Sequence, residues 1–291
     1  MAGMAVLLSL GHGYSAQALT QRLGPDWRVI GTTRSPETAA ALRDEGVEPR
    51  VWPGVDLTDD IGEATHILAS APPGDEGDPF LPLLGGALAR ARPEWVGYLS
   101  TTGVYGDHRG GWVDEETPVA PGTERGARRA LAEAQWRAVS EQGGWPLAIF
   151  RLAGIYGPGR SPLDRVRSGA ARAVVKPGQV FSRIHVDDIA RAVAASMERP
   201  GTAAPGGTVY NLCDDEAAPP QDVLAHAARL LGLPAPTEVP YEAAEMSEMA
   251  RSFYAENKRV RNDRVKSRLG LRLLHPTYRE GLAALRDAEG D

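Results

Sequence analysis

The chain has 291 residues, of which 42% are hydrophobic and 24% charged, so it can bury a substantial core and lacks the composition of a disordered segment or a fibre. A formal net charge of −6, with no basic run interleaved with aromatics, excludes the electrostatic footprint of a nucleic-acid binder. Residues 4–10 are apolar but break at Gly11, far short of a bilayer span, so no membrane segment is expected and the stretch reads as a first β-strand.

From that strand onward the first half alternates short apolar runs with helical patterns. AVLLSL, WRVIGTT, PRVW, THILAS, WVGYLS and PLAIFRL are the strand candidates. Helices are expected over 15–23, 36–45, 82–92 and 124–141, the last with Ala127, Leu131, Ala134 and Ala138 at helical spacing. The pattern predicts an α/β fold, a Rossmann-type doubly wound parallel sheet with helices on both faces. Beyond Arg151 come a loop GIYGPGRSP, a helix over 187–198, a strand TVYNL and a helix over 220–231, without regular alternation. Residues 1–155 therefore read as a dinucleotide-binding domain. Residues 156–291 read mainly as a smaller, irregular substrate-binding lobe, with some segments returning to the first domain. The lone Cys213 cannot form an internal disulfide, so a reducing cytoplasm is the expected compartment and buried packing the expected role.

Directly after the first strand stands Gly11-His12-Gly13-Tyr14-Ser15-Ala16, a GxGxxA pattern opening a helix. The first glycine permits the tight turn, the second lets backbone approach a pyrophosphate, and a small third residue lets helix and strand pack closely. His12 is expected to contribute backbone rather than ring. The second strand ends at Thr33 and Arg34, where a carboxylate selective for NAD would otherwise be expected. A guanidinium pairs with a 2′-phosphate and a threonine hydroxyl adds a bond, so the expected cofactor is NADP. Ala71, Pro72 and Pro73, at the end of the fourth strand, are small and rigid enough for a cofactor to pass; a simple turn is the alternative.

The glycine turn, STTGVYG, WVDEETPVAP, RLAGIYGPGR, FSRIHVDDIARAV and NKRVRNDRVKSRLGL follow one another in an order that resembles the atypical extended short-chain dehydrogenases/reductases, an NAD(P)-dependent epimerase/dehydratase-like branch. The resemblance covers nearly the whole chain. It implies that Thr101 polarises a substrate oxygen and that a YxxxK pair follows on the next helix. Arg125 stands where the tyrosine is expected and Arg129 where the lysine is, and no tyrosine lies between Gly106 and Gly154. Arginine is a poor proton shuttle. Arg125 instead suits an anionic substrate group or a cofactor phosphate, and Arg129 the ribose. A dehydratase acid/base pair is missing too, since those positions are Thr102 and Gly103.

Tyr105, Tyr156, Arg183 and His185 are the remaining candidates for contact with substrate, each also explicable as packing. His66, His108, His226 and His275 show no metal-ligand spacing, and no metal is expected. Glu115 and Glu116 read as solvated. Leu282 and Leu285, on the last helix, read as core or as a partner face, and the resemblance implies helical homodimer packing. The expected activity is NADP-dependent hydride transfer with a small carbonyl or alcohol substrate. A non-catalytic NADP(H) sensor and a cofactor-retaining epimerase are the alternatives.

Overall fold

The computed structural model describes residues 4–169 and 171–289. The apolar, β-branched runs form parallel strands β1 (Ala5–Leu10), β2 (Trp27–Thr33), β3 (Glu48–Val51), β4 (His66–Ala69), β5 (Trp95–Thr101), β6 (Leu147–Leu152) and β7 (Thr208–Leu212). They make one seven-stranded sheet in the order β7-β6-β5-β4-β1-β2-β3. The order reverses between β1 and β4, which opens a crevice at the carboxyl ends of those strands, as in other doubly wound Rossmann-type sheets.

Side chains alternate across the pleat, so neighbouring residues feed opposite cores. Leu7, Leu68, Trp95 and Phe150 face α1 (Tyr14–Thr20) and α2 (Pro36–Asp44). Leu8, Ile67, Val96 and Ile149 face the other side, where α3 (Thr58–Glu63), α4 (Leu81–Arg90) and α5 (Glu124–Gly143) lie. The six-residue α3 has no counterpart among the sequence-based elements, being too short to show a helical period.

Helix α5 starts where Thr123 Oγ1 accepts the Gly126 N–H at 3.2 Å and stops at Gly144, which takes up a left-handed conformation. Its buried face is Gly126, Ala132, Glu133, Trp136 and Ser140. This corrects the expected apolar face: Ala127, Leu131, Ala134 and Ala138 point outward. The sequence reading failed because the true face contains a carboxylate. Glu133 accepts two hydrogen bonds from Arg151 on β6, Nη2 at 2.8 Å and Nε at 3.1 Å, and a third from Ser100 on β5 at 2.6 Å. Both charged side chains are only 4% exposed.

After β6 follow α6 (Pro162–Arg167), α7 (Val186–Met197), α8 (Pro220–Leu230), α9 (Glu248–Tyr254), α10 (Asp263–Leu269) and α11 (Tyr278–Ala288). Helix α7 packs on α1, and β7 returns to the sheet edge beside β6. Helices α6, α8 and α11 enclose an apolar cluster of their own containing Leu163, Ala227, Tyr278, Leu282 and Leu285. Leu282 and Leu285 are therefore core, which removes the partner-face reading for those two leucines. Cys213 is buried in the larger core, as its expected packing role requires. No described helix is long and apolar enough to cross a membrane.

The Glu133–Arg151 pair makes a stability prediction. Arg151→Ala is expected to lower the unfolding free energy by about 3–5 kcal/mol, because a buried carboxylate loses its partner. The double variant Glu133→Leu/Arg151→Met should recover part of that loss in urea titrations, since no buried charge is left unpaired, although the Ser100 hydroxyl loses its acceptor.

Candidate active site

A cavity of about 950 Å³ runs along the carboxyl ends of β1, β2, β4, β5 and β6. At its nucleotide end Gly11 adopts φ +87°, and a Cβ there would lie 2.7 Å from the Ala71 backbone nitrogen, so the turn between β1 and α1 closes only around glycine. The Thr32 hydroxyl accepts the Gly11 N–H at 2.7 Å, and the Ser70 hydroxyl donates to the Gly11 carbonyl. Gly13 differs: nothing stands within 4 Å of the position its Cβ would take. No side chain caps the start of α1, leaving its first N–H groups to whatever enters that space. Ala16 is buried against the main core, as a helix packed tightly on the strand requires.

Thr33 and Arg34 line the same end. Arg34 is exposed and has no ion-pair partner among the described residues, while the Thr33 hydroxyl accepts the Ser35 N–H at 3.3 Å. Trp52, stacked on Phe80 at 4.3 Å, adds an aromatic wall. Ala71 and Pro72 line the cavity; Pro73, expected beside them, does not.

At the other end Thr101 closes β5. Its Oγ1 accepts the Gly103 N–H at 3.1 Å, which leaves the hydroxyl proton available to the cavity it lines. Helix α5 reaches this strand end because residue 126 is glycine: a Cβ there would meet the Gly103 carbonyl oxygen at 2.7 Å. Arg129, one turn along, donates through Nη1 to the Leu99 carbonyl at 2.7 Å and the Tyr98 hydroxyl at 3.1 Å, fixing the helix to β5 while lining the cavity. Arg125 opens toward the cavity with its guanidinium 5.0 Å from the centre of the Phe253 ring. Its pKa is pulled down by partial enclosure and then by the charges of Arg129 and Arg160, yet arginine starts so high that it stays charged.

Of the four residues expected to contact substrate, Tyr105 and His185 lie outside the cavity lining. The Tyr105 hydroxyl donates to Asn211 Oδ1 at 2.7 Å, and Arg151 covers the ring at 4.7 Å, so this residue is core. His185 is buried as the N-cap of α7, its Nδ1 accepting the Asp187 N–H at 3.2 Å; burial, then the neighbouring His275, holds its pKa down at about 4. Tyr156 borders the cavity, but its hydroxyl points at Gly281 on α11, where a Cβ would collide with it. Burial drives its pKa upward, further from the range in which a hydroxyl gives up its proton. Arg183 does line the cavity, with Nη1 donating to the Phe181 carbonyl at 2.9 Å and the Ala218 carbonyl at 3.2 Å. Burial raises the pKa of the neighbouring Asp214 carboxyl to about 8.

Some residues were missed by the sequence reading. Lys258 lines the cavity, its Nζ 2.6 Å from both Glu256 Oε2 and the Gly106 carbonyl. It lies in the NKRVRN segment, where no local pattern marks it. His185, Asp187 and His275 also converge, with the Asp187 carboxylate 3.5 Å and 3.8 Å from the two rings, although nothing in their spacing announces it. Glu115 is not solvated: it is 4% exposed and accepts the Asn211 N–H at 2.9 Å.

Comparisons with known proteins agree with this geometry. The family model described as NAD dependent epimerase/dehydratase family matches residues 83–213. Protein YeeZ of Escherichia coli (strain K12) is 31% identical over 244 residues, which cover 78% of this chain and 84% of that protein. A 3-diazoavenalumate denitrifying reductase from Streptomyces sp is 31% identical over 58% of each chain. The solved structure of a functionally unknown conserved protein from Silicibacter pomeroyi DSS is 54% identical, spans 99% of this chain and all of its own, and superposes with a TM-score of 0.91. UDP-glucuronic acid 4-epimerase from Bacillus cereus, solved with UDP-glucuronic acid and NAD, shares the fold at 17% identity over 98% of each chain, with a TM-score of 0.78.

Two measurements test the nucleotide end. Gly13→Ala should leave stability within about 0.5 kcal/mol, because its methyl meets no protein atom, while weakening dinucleotide binding by about tenfold or more in calorimetry. His12 is buried with both ring nitrogens unpartnered, and burial lowers its pKa from 6.5 to about 4. Between those values the unfolded chain binds a proton that the folded one does not, so this group's contribution to stability falls as pH falls through that window. Urea titrations of wild type and His12→Leu should therefore show wild type losing ground to the variant from pH 6.5 to about 4, and a constant difference above.

Proposed function

The chain belongs to the NAD dependent epimerase/dehydratase family, and on that premise we propose that it is an NADP-dependent oxidoreductase transferring hydride to or from a small carbonyl or alcohol. The observation that supports the cofactor choice is Arg34, just past the end of β2, a guanidinium with no ion-pair partner among the described residues, where the sequence has no carboxylate to repel a 2′-phosphate. The cradle fits a dinucleotide: Gly13 leaves room for a pyrophosphate, α1 begins without a side-chain cap, and Thr33, Trp52 and Pro72 continue the wall. When bound, the nicotinamide supplies or accepts the hydride.

The protein's own part is polarisation and charge. Thr101 accepts a backbone N–H and so directs its own proton toward a substrate oxygen. Arg125 and Arg129 place positive charge on that side of the cavity, which favours an oxyanion as it develops. With arginines at 125 and 129 and the Tyr156 hydroxyl turned away, the proton is exchanged with water rather than with a tyrosine. This arrangement also supports a second reading, an NADP(H)-sensing protein that turns nothing over; oxidation of NADPH by a carbonyl compound separates the two. A cofactor-retaining epimerase would instead show exchange of a substrate hydrogen without net oxidation.

Calorimetric titration with NADPH and NADH should give tight NADPH binding that weakens by about tenfold or more in Arg34→Ala, while NADH binding stays unchanged. Equal affinity for both cofactors in wild type would overturn the NADP assignment, and binding of neither would overturn the function.

A further inference from the structure

The substrate half of the cavity carries guanidinium groups that no carboxylate touches, although the charge of Glu256 is felt at Arg125. Arg125 from the first turn of α5, Arg160 from the loop after β6 and Arg165 from α6 all line it. None has a carboxylate in ion-pair contact among the described residues. The carboxylates on the same wall are committed elsewhere: Asp164 accepts the Ser161 N–H and hydroxyl at 2.9 Å, and Glu256 holds Lys258 at 2.6 Å and the Gly122 N–H at 3.3 Å. Arg125 and Arg160 each lie against an aromatic face, Phe253 at 5.0 Å and Tyr14 at 6.0 Å, which steadies the guanidinium plane and leaves its N–H edges unused. Gathering like charges in a partly enclosed space is unfavourable until an anion joins them. A guanidinium edge matches a carboxylate or a phosphate bidentately.

We infer that the substrate carries a permanent oxyanion, a carboxylate or a phosphate, clamped by Arg125 with Arg160 and Arg165 beside it while its reacting carbon faces Thr101. The inference rests on the oxidoreductase reading and narrows it: neutral carbonyl compounds are poor substrates because they leave these charges unpaired. The residue that stands in the tyrosine's place is then a specificity determinant. Arg160, stacked on Tyr14 at the start of α1, is also close to the cofactor turn, so Arg125 is the better residue for separating substrate from cofactor.

The test uses phenylacetate, phenyl phosphate and neutral phenylacetamide as probes, titrated calorimetrically into wild type, Arg125→Gln and Arg125→Lys, each with and without saturating NADPH. At least one anion should bind wild type about tenfold or more tighter than the amide, and the better of the two identifies the group as carboxylate or phosphate. Arg125→Gln should erase that preference and Arg125→Lys restore most of it, with NADPH affinity kept within about twofold throughout. Equal binding of the three probes to wild type, an anion preference that survives in Arg125→Gln, or loss of NADPH affinity in that variant would each overturn the inference. If NADPH fails to bind wild type, the oxidoreductase reading falls, whereas the anion preference measured without cofactor still decides this one.

Discussion

The geometry of the site depends on one buried ion pair. Glu133 and Arg151 face each other between α5 and β6, almost wholly out of water, and the glutamate also holds Ser100 on β5. Two adjacent strand ends and the long helix above them are thereby fixed in a single register, in which Ser100 lies directly opposite Arg151 and Thr101 opposite Leu152. Burying two charges is costly unless each finds partners, and here the carboxylate accepts three hydrogen bonds while the guanidinium covers the Tyr105 ring. The pair thus specifies where α5 sits as much as it stabilises the fold, and Arg125 and Arg129 ride on that helix.

Close backbone approach completes the arrangement at both ends of the cavity. Gly11 lets the first turn lie against Ala71, and Gly126 lets α5 settle on the turn that follows β5. Between these two contacts the chain leaves a crevice walled by the ends of several strands, where a sheet that reverses its order has no side chains of its own to fill the gap. The loop after β6 reaches back to it, with the Tyr14 hydroxyl donating to the Pro158 carbonyl at 3.0 Å and so joining the glycine turn to the opposite side of the crevice.

Charge distinguishes the two ends of this crevice from the rest of an acidic protein. Several arginines elsewhere are paired, Arg28 with Glu48 and Glu63 and Arg50 with Asp60, whereas Arg125, Arg160 and Arg165, which face the cavity, have no ion-pair partner among the described residues. A molecule with net charge −6 that keeps free guanidinium groups at its concave face has an electrostatic field directed at anions.

The strand pattern, the glycine turn and the family resemblance were legible in the sequence because each is local: period-two apolar runs specify strands, and a GxGxxA between strand and helix specifies the turn. WRVIGTT and AVLLSL coincide with β2 and β1. Which face of α5 is buried was not legible, since Glu133 looks like a surface residue until Arg151, eighteen positions later, is folded against it. The same limit hid Lys258 and misplaced Tyr105 and His185, whose residue types suit a site but whose hydroxyl and ring are claimed by Asn211 and by the start of α7, and it hid the turn of the Tyr156 hydroxyl toward Gly281. Sequence by itself determined the sheet and the glycine turn, and pointed to Arg34, Arg125 and Arg129, all of which line the cavity. Only the tertiary structure decided which polar side chains face the cavity and which are consumed by the core, because that choice is made by partners distant along the chain.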